Sequence, residues 1–180
     1  NILSSSGENG SMTIGDVIYL SATSDTGDVE DTVSINIELE NSDIVGGMQF
    51  DIYDTPNYLD IVDLTAMGRA EGFTADFSVL ENGNTRVVMF DQNNSNISAG
   101  TGAVLEVDLV IHTNAYADQV GVNFENVTVT DDIGGFYWIS STDSGTVTVY
   151  PGYIEEPHNL TAEDGMDAQV LLTWDAPYGP

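Results

Sequence analysis

Apolar and polar residues alternate along most of this chain in short runs set apart by Gly, Asn, Asp and Ser, a period of two that marks β-strands with one buried and one wet face. The run at 32–39 places Val33, Ile35, Ile37 and Leu39 on one face against Ser34, Asn36 and Glu38. At 48–53, Met48, Phe50 and Ile52 share one side, and Gln49, Asp51 and Tyr53 the other. The same reading predicts strands at 17–22, 59–64, 73–80, 85–90, 104–111, 120–129 and 136–149, the last broken near 142–145. Between 73–80 and 85–90 stands Glu81-Asn82-Gly83-Asn84, whose Asn-Gly pair tolerates positive φ and predicts an antiparallel hairpin. Residues 66–71 look helical but are too few to stand alone.

These elements predict an all-β fold, an antiparallel sandwich of about nine strands over residues 12–150 preceded by an extension at 1–11. The stretch 151–157, with Pro151, Gly152 and two acids, reads as a linker, and 158–180 as a short C-terminal β segment. At 180 residues the chain has room for one full core. No apolar run approaches the ~18 residues that a membrane-spanning helix needs. Asn1 is no initiator and no basic region precedes an apolar stretch, so the chain reads as a mature one whose signal peptide lies outside the numbering.

Charge narrows the partners. Thirty Asp and Glu face two cationic side chains, Arg69 and Arg86, for a formal net charge of −28. Nucleic acid and anionic membrane surfaces need a basic footprint and are excluded. Self-repulsion of this size costs stability in dilute buffer and is screened over about 8 Å at physiological ionic strength, so a marine or saline habitat, or bound divalent cations, would suit it. Cysteine is absent, which removes disulfides, a thiolate nucleophile and Cys-based zinc sites while leaving the compartment open. His112 and His158 are the only histidines, and no Gly-x-Ser-x-Gly elbow accompanies them. The chain is therefore expected not to be an enzyme, although so many acids give chance carboxylate pairs.

The order of motifs resembles a known family. Gly27-Asp28 followed by 32–39, then Gly46-Gly47-Met48-Gln49-Phe50-Asp51-Ile52-Tyr53-Asp54, Leu59-Asp60-Ile61, Gly100-Thr101-Gly102-Ala103-Val104-Leu105 and the closing Gly145-Thr146-Val147-Thr148-Val149 are similar to a cohesin domain. That resemblance implies a jelly-roll sandwich acting as a secreted or cell-surface, bacterial or archaeal, receptor for a calcium-loaded dockerin. Members often carry Asn and Asp just before the strand-three Phe, where this chain has Gly47 and Gln49. In the tail, Pro157-His158-Asn159-Leu160-Thr161-Ala162 and Val170-Leu171-Leu172-Thr173-Trp174-Asp175-Ala176-Pro177 resemble the first two strands of a fibronectin type III domain. Seven strands are needed for that fold, so a longer natural chain is expected.

Candidate sites follow from these placements. A protein-binding face is expected on Gln49 and Asp51, with Arg86 and Val88 of the hairpin strand; ordinary solvated strand positions would read the same way. Asp25, Asp28, Glu30 and Asp31 cluster in an expected loop, and Asp91 and Asn93 begin an alternation of oxygen ligands; calcium suits both sets better than a transition metal. Asn96 and Gly102 break the pattern of an EF-hand, so a polar connection is the alternative. Leu160, Val170, Leu172 and Trp174 cannot be buried by two strands alone. They could instead join copies of the chain by terminal strand exchange into a filament or layer. Tyr137 and Trp138 could stack on a polysaccharide, which makes a carbohydrate-binding module the third alternative.

Overall fold

The computed structural model describes residues 17–91, 95–115, 118–150, 158–166 and 169–175; strands dominate them, and helix is confined to one short turn. The 1–11 extension and the 151–157 linker lie outside the described residues. Eleven strands build the sandwich: β1 (Ile18–Ala22), β2 (Asp25–Asp28), β3 (Thr32–Asn41), β4 (Gly47–Thr55), β5 (Leu59–Ala66), β6 (Thr74–Val79), β7 (Thr85–Phe90), β8 (Gly100–Ile111), β9 (Asp118–Thr130), β10 (Ser141–Asp143) and β11 (Gly145–Tyr150). A further pair, β12 (His158–Met166) and β13 (Gln169–Asp175), forms a two-stranded antiparallel sheet. Residues 66–71 contribute only a single 3-10 turn, Gly68–Ala70.

One sheet has the order β10-β1-β3-β8-β5 and the other β2-β11-β9-β4-β7-β6. Alternation fixes which face each strand buries. Val33, Ile35, Ile37 and Leu39 of β3 are all buried, and Met48, Phe50 and Ile52 of β4 face them from the opposite sheet. Phe50 is fully buried and meets Phe124 edge to face, with ring centroids 5.6 Å apart. In β8 the parity changes: Val104 and Leu105 are both buried, because the register slips by one residue where Ile37 and Glu38 pair with Leu105 and Ala103.

Two pairings are parallel where an antiparallel sandwich was expected. The chain leaves the first sheet after β1 and enters the second as β2, and the last segment does the same between β10 and β11. β1 runs parallel to β10 and β2 parallel to β11, with Tyr19 opposite Ser141 and Asp25 opposite Val147, so the residue offset is the same on both sides of the crossing. At the crossing a Cβ on Gly145 would stand 2.2 Å from the Thr23 carbonyl oxygen, so only glycine fits there. The expected 136–149 strand is thus divided: Phe136 makes an isolated bridge to Thr130, and β10 and β11 follow as separate strands.

Truncating Phe50 would remove the largest fully buried side chain of the core. Phe50→Ala is expected to lower the unfolding free energy by about 3–5 kcal/mol, read from urea denaturation followed by circular dichroism.

Candidate functional site

The four residues expected on a binding face come together. In β4 and β7, Gln49 stands opposite Val88 and Asp51 opposite Arg86, all on the outward side of the six-stranded sheet. β6 extends the patch, with Asp76 beside Val88 and Ser78 beside Arg86, and β9 brings Thr128 beside Gln49. Gln49, Arg86 and Val88 are half-buried, as expected of a flat strand surface.

Asp51 departs from the expectation of a solvated contact residue, for it has no exposed surface. Arg86 covers it, donating from Nε to Oδ1 at 2.7 Å and from the terminal nitrogen to Oδ2 at 2.9 Å, a two-pronged carboxylate pair. Asn126 closes the other side, its Nδ2 2.8 Å from Oδ2. Between Gln49 and Asp51 the pairing with β9 slips, and Asn126 sits at that bulge with φ of 51°, which turns its side chain back towards the carboxylate. The bonds from Arg86 and then from Asn126 lower the Asp51 pKa against the opposing effect of burial. Asp51 in turn raises that of Arg86. The period of two finds the face but carries no signal for the bulge that completes this lock.

Arg69, the second cation, is consumed elsewhere. It donates to the Asn41 side-chain oxygen and the Ser98 carbonyl, each at 2.7 Å, and to the Leu39 carbonyl, and burial lowers its pKa. Arg86 is therefore the one arginine presented on the outward sheet, its side chain 36% exposed.

The calcium candidates are arranged differently from a cage. Asp25 and Asp28 lie in β2 rather than in a loop, because the free edge of β11 offers backbone partners to a segment with no apolar period. Gly27 sits where a Cβ would press on Val33 at 2.6 Å, so the strand fits through its lack of a side chain. The Asp25 carboxylate accepts from the backbone of Thr26 and Ser34, and that of Asp31 from Asp28, while Glu30 occupies the turn with φ of 68°. Asp91 accepts from the Ser95 backbone, as a polar connection would, and Asn93 lies outside the described residues. Among the described residues no three of His, Asp and Glu are placed to hold one metal ion.

His112 follows β8 directly, with Nε2 2.9 Å from Asp60 Oδ2 but without the alignment of a hydrogen bond. It lines a cleft of about 460 Å³ at one end of the sandwich with Ile52, Asp54, Leu59, Leu109 and Val122. Asp54 accepts from the backbone of Tyr58 and Leu59 at 2.6 and 2.8 Å, and burial raises its pKa. Sequence reading gave no hint of this cleft, whose walls come from both sheets. In the tail, Leu160, Leu172 and Trp174 are 63%, 53% and 57% exposed, and Val170 pairs through its backbone with Asp164. Of the two candidate stacking residues, Tyr137 is tied down by a hydroxyl bond to the Ile44 carbonyl at 2.6 Å, whereas Trp138 is 86% exposed.

The family profile described as the cohesin domain matches residues 18–149. Solved structures agree in fold. A Clostridium acetobutylicum structure, CaCohA2, is 20% identical with a TM-score of 0.61, over 76% of this chain and 92% of that one. A non-cellulosomal cohesin of Archaeoglobus fulgidus is 18% identical with a TM-score of 0.58, over 75% and 91%. The sixth cohesin of Acetivibrio cellulolyticus scaffoldin B, solved in complex with a dockerin, is 16% identical with a TM-score of 0.60, over 73% and 98%. No curated protein matches the chain.

The Asp51 lock sets a pH dependence. A carboxylate with a lower pKa folded than unfolded contributes stability that is complete above its unfolded value, near 3.8, and is lost as pH falls through the folded one. The wild-type unfolding free energy is expected to drop over that acid range. Asp51→Asn is expected to be less stable at pH 7 and to lose part of that acid slope, measured by chemical denaturation at a series of pH values.

Proposed function

The chain belongs to the cohesin family, and from that premise we propose that it is a receptor for a dockerin-type protein, which docks on the outward face of the six-stranded sheet. Cohesin domains are non-enzymatic protein-binding modules. The observation that carries the docking site is the patch of Gln49, Val88 and Arg86, flat and half-exposed, with its only arginine held in place by the buried Asp51. A side chain already immobilised loses little entropy on binding, which suits an anchor of recognition. Departure from the usual Asn and Asp at Gly47 and Gln49 points to a partner specificity of its own.

The location we propose is extracellular or at the cell surface. Cohesins are typically found there, and among the described residues no helix is long and apolar enough to cross a membrane. The acidic surface suits saline surroundings, where its self-repulsion is screened. Residues 12–150 would form the receptor, 151–157 a linker, and 158–180 the opening strands of a fibronectin type III unit.

The test is calorimetric titration of the chain with a panel of calcium-loaded dockerins, including that of the Acetivibrio cellulolyticus complex. At least one is expected to bind, and Val88→Asp or Gln49→Arg to weaken it by tenfold or more, about 1.4 kcal/mol. Binding that survives both substitutions would place the interface elsewhere and overturn the proposed face.

The exposed apolar row of Leu160, Leu172 and Trp174 favours a second reading, association of copies through the C-terminal pair of strands. Sedimentation velocity over a range of concentrations decides it. Species that grow with concentration and vanish in a chain ending at residue 150 would support it, and a constant mass near 19.3 kDa would rule it out.

A further inference from the structure

At the end of β9 the chain turns back in a compact loop whose geometry is held by one aspartate. The Asp131 backbone nitrogen donates to the Gly135 carbonyl at 2.9 Å, and Oδ1 of Asp131 accepts from the backbone nitrogens of Ile133 and Gly135 at 3.0 and 2.6 Å. Gly134 takes φ of 85°, as the tight reversal requires. Beyond it Phe136 bridges Thr130, the Tyr137 nitrogen donates to the Val129 carbonyl, and the Tyr137 hydroxyl fastens the strand to Ile44. This fixed turn exposes three large apolar side chains: Ile133 by 87%, Phe136 by 78% and Trp138 by 86%.

Register places Phe136 beside the docking face, with Ile133 in the turn that leads into it. Residues paired across antiparallel strands share one side of the sheet. Phe90 pairs with Gly47, Gly47 with Thr130, and Thr130 bridges Phe136, making one row across β7, β4, β9 and the returning segment. Met48 and Val129, the neighbours of Gly47 and Thr130, are buried, so the row faces outward, and alternation brings Trp138 to the same side. Phe90 is itself 39% exposed, and Gly47 leaves a low point between it and Phe136.

Asp131 and Asp132 lie in the turn that carries this patch, Asp76 stands one row away on β6, and Arg86 is engaged by Asp51. The polar groups closest to the rings are already used: Asp131 closes the turn, and the Thr130 hydroxyl donates to the Gly47 carbonyl at 3.3 Å. A sugar would find stacking surface there but few side chains free to orient its hydroxyls. A protein segment with an apolar side chain for the low point and Lys or Arg around it satisfies both the shape and the charge.

We propose that Phe90, Gly47, Phe136, Trp138 and Ile133 form the anchoring end of the docking face, taking an apolar side chain of a partner protein whose surrounding residues are basic. This rests on the receptor reading above and adds where the partner's binding energy concentrates and what chemistry it presents.

The test selects random peptides displayed on phage against the full chain, then measures the enriched peptides against wild type, a Phe136→Ala/Trp138→Ala double variant and Val88→Asp. Both substituted aromatic side chains are largely exposed, so circular dichroism of the double variant should match wild type. Enriched peptides are expected to carry an aromatic or aliphatic residue flanked by Lys or Arg, to lose at least about tenfold in affinity for the double variant, and to weaken with added salt. Peptides that keep their affinity for the double variant but lose it for Val88→Asp would overturn the anchor while leaving the face intact. Insensitivity to both variants would overturn face and anchor together, and a selection that enriches nothing counts against the anchor. Retardation of wild type, but not of Trp138→Ala, in gels containing soluble polysaccharide would overturn the protein anchor in favour of a sugar platform.

Discussion

Everything in this fold depends on bringing two sheets together under a net charge of −28. Apolar burial at roughly 25 cal/mol per Å² has to outweigh carboxylate repulsion as well as chain entropy. The chain meets that demand by separating its chemistry by face: the inner sides carry Val, Ile, Leu and Phe, and the acids stand outside. Among the described residues only one acid, Asp51, is wholly buried, and it is the one that meets Arg86. The second arginine, Arg69, serves main-chain carbonyls instead. With two cations to spend, the fold uses one on the frame and one on the surface that faces a partner.

Alternation made the sandwich legible. Residues 32–39 and 48–53 have an unbroken period of two in sequence, and the apolar sets expected to be buried are buried, with Asp51 added to the second. What stayed hidden was structure that leaves no mark in side-chain pattern. β2 pairs through its backbone and carries Asp, Thr and Gly, so its acids suggested a loop with calcium ligands. The parallel pairings depend on contacts between segments more than a hundred residues apart, beyond the reach of any local window.

The candidate face was legible to a similar depth. Parity alone put Gln49, Asp51, Arg86 and Val88 on one side, and the pairing of β4 with β7 made them neighbours. Parity could not tell that Asp51 would be covered, since that depends on the bulge that swings Asn126 towards it. The aromatic turn was visible only in part: Trp138 was noticed, while Ile133 lies outside the expected strands and Phe136 is exposed because the expected 136–149 strand makes only an isolated bridge at its start and pairs regularly from Ser141 onward.

The parallel pairing of the first and last strands has a mechanical consequence. The chain enters the sandwich at Ile18 beside Ser140 and leaves at Tyr150 beside Asp28, at opposite ends of one long zipper that passes from sheet to sheet. Pulling on the two ends therefore loads β1 against β10 and β2 against β11 lengthwise, so that their hydrogen bonds bear the force together instead of opening one after another. A module threaded this way transmits tension along its own axis.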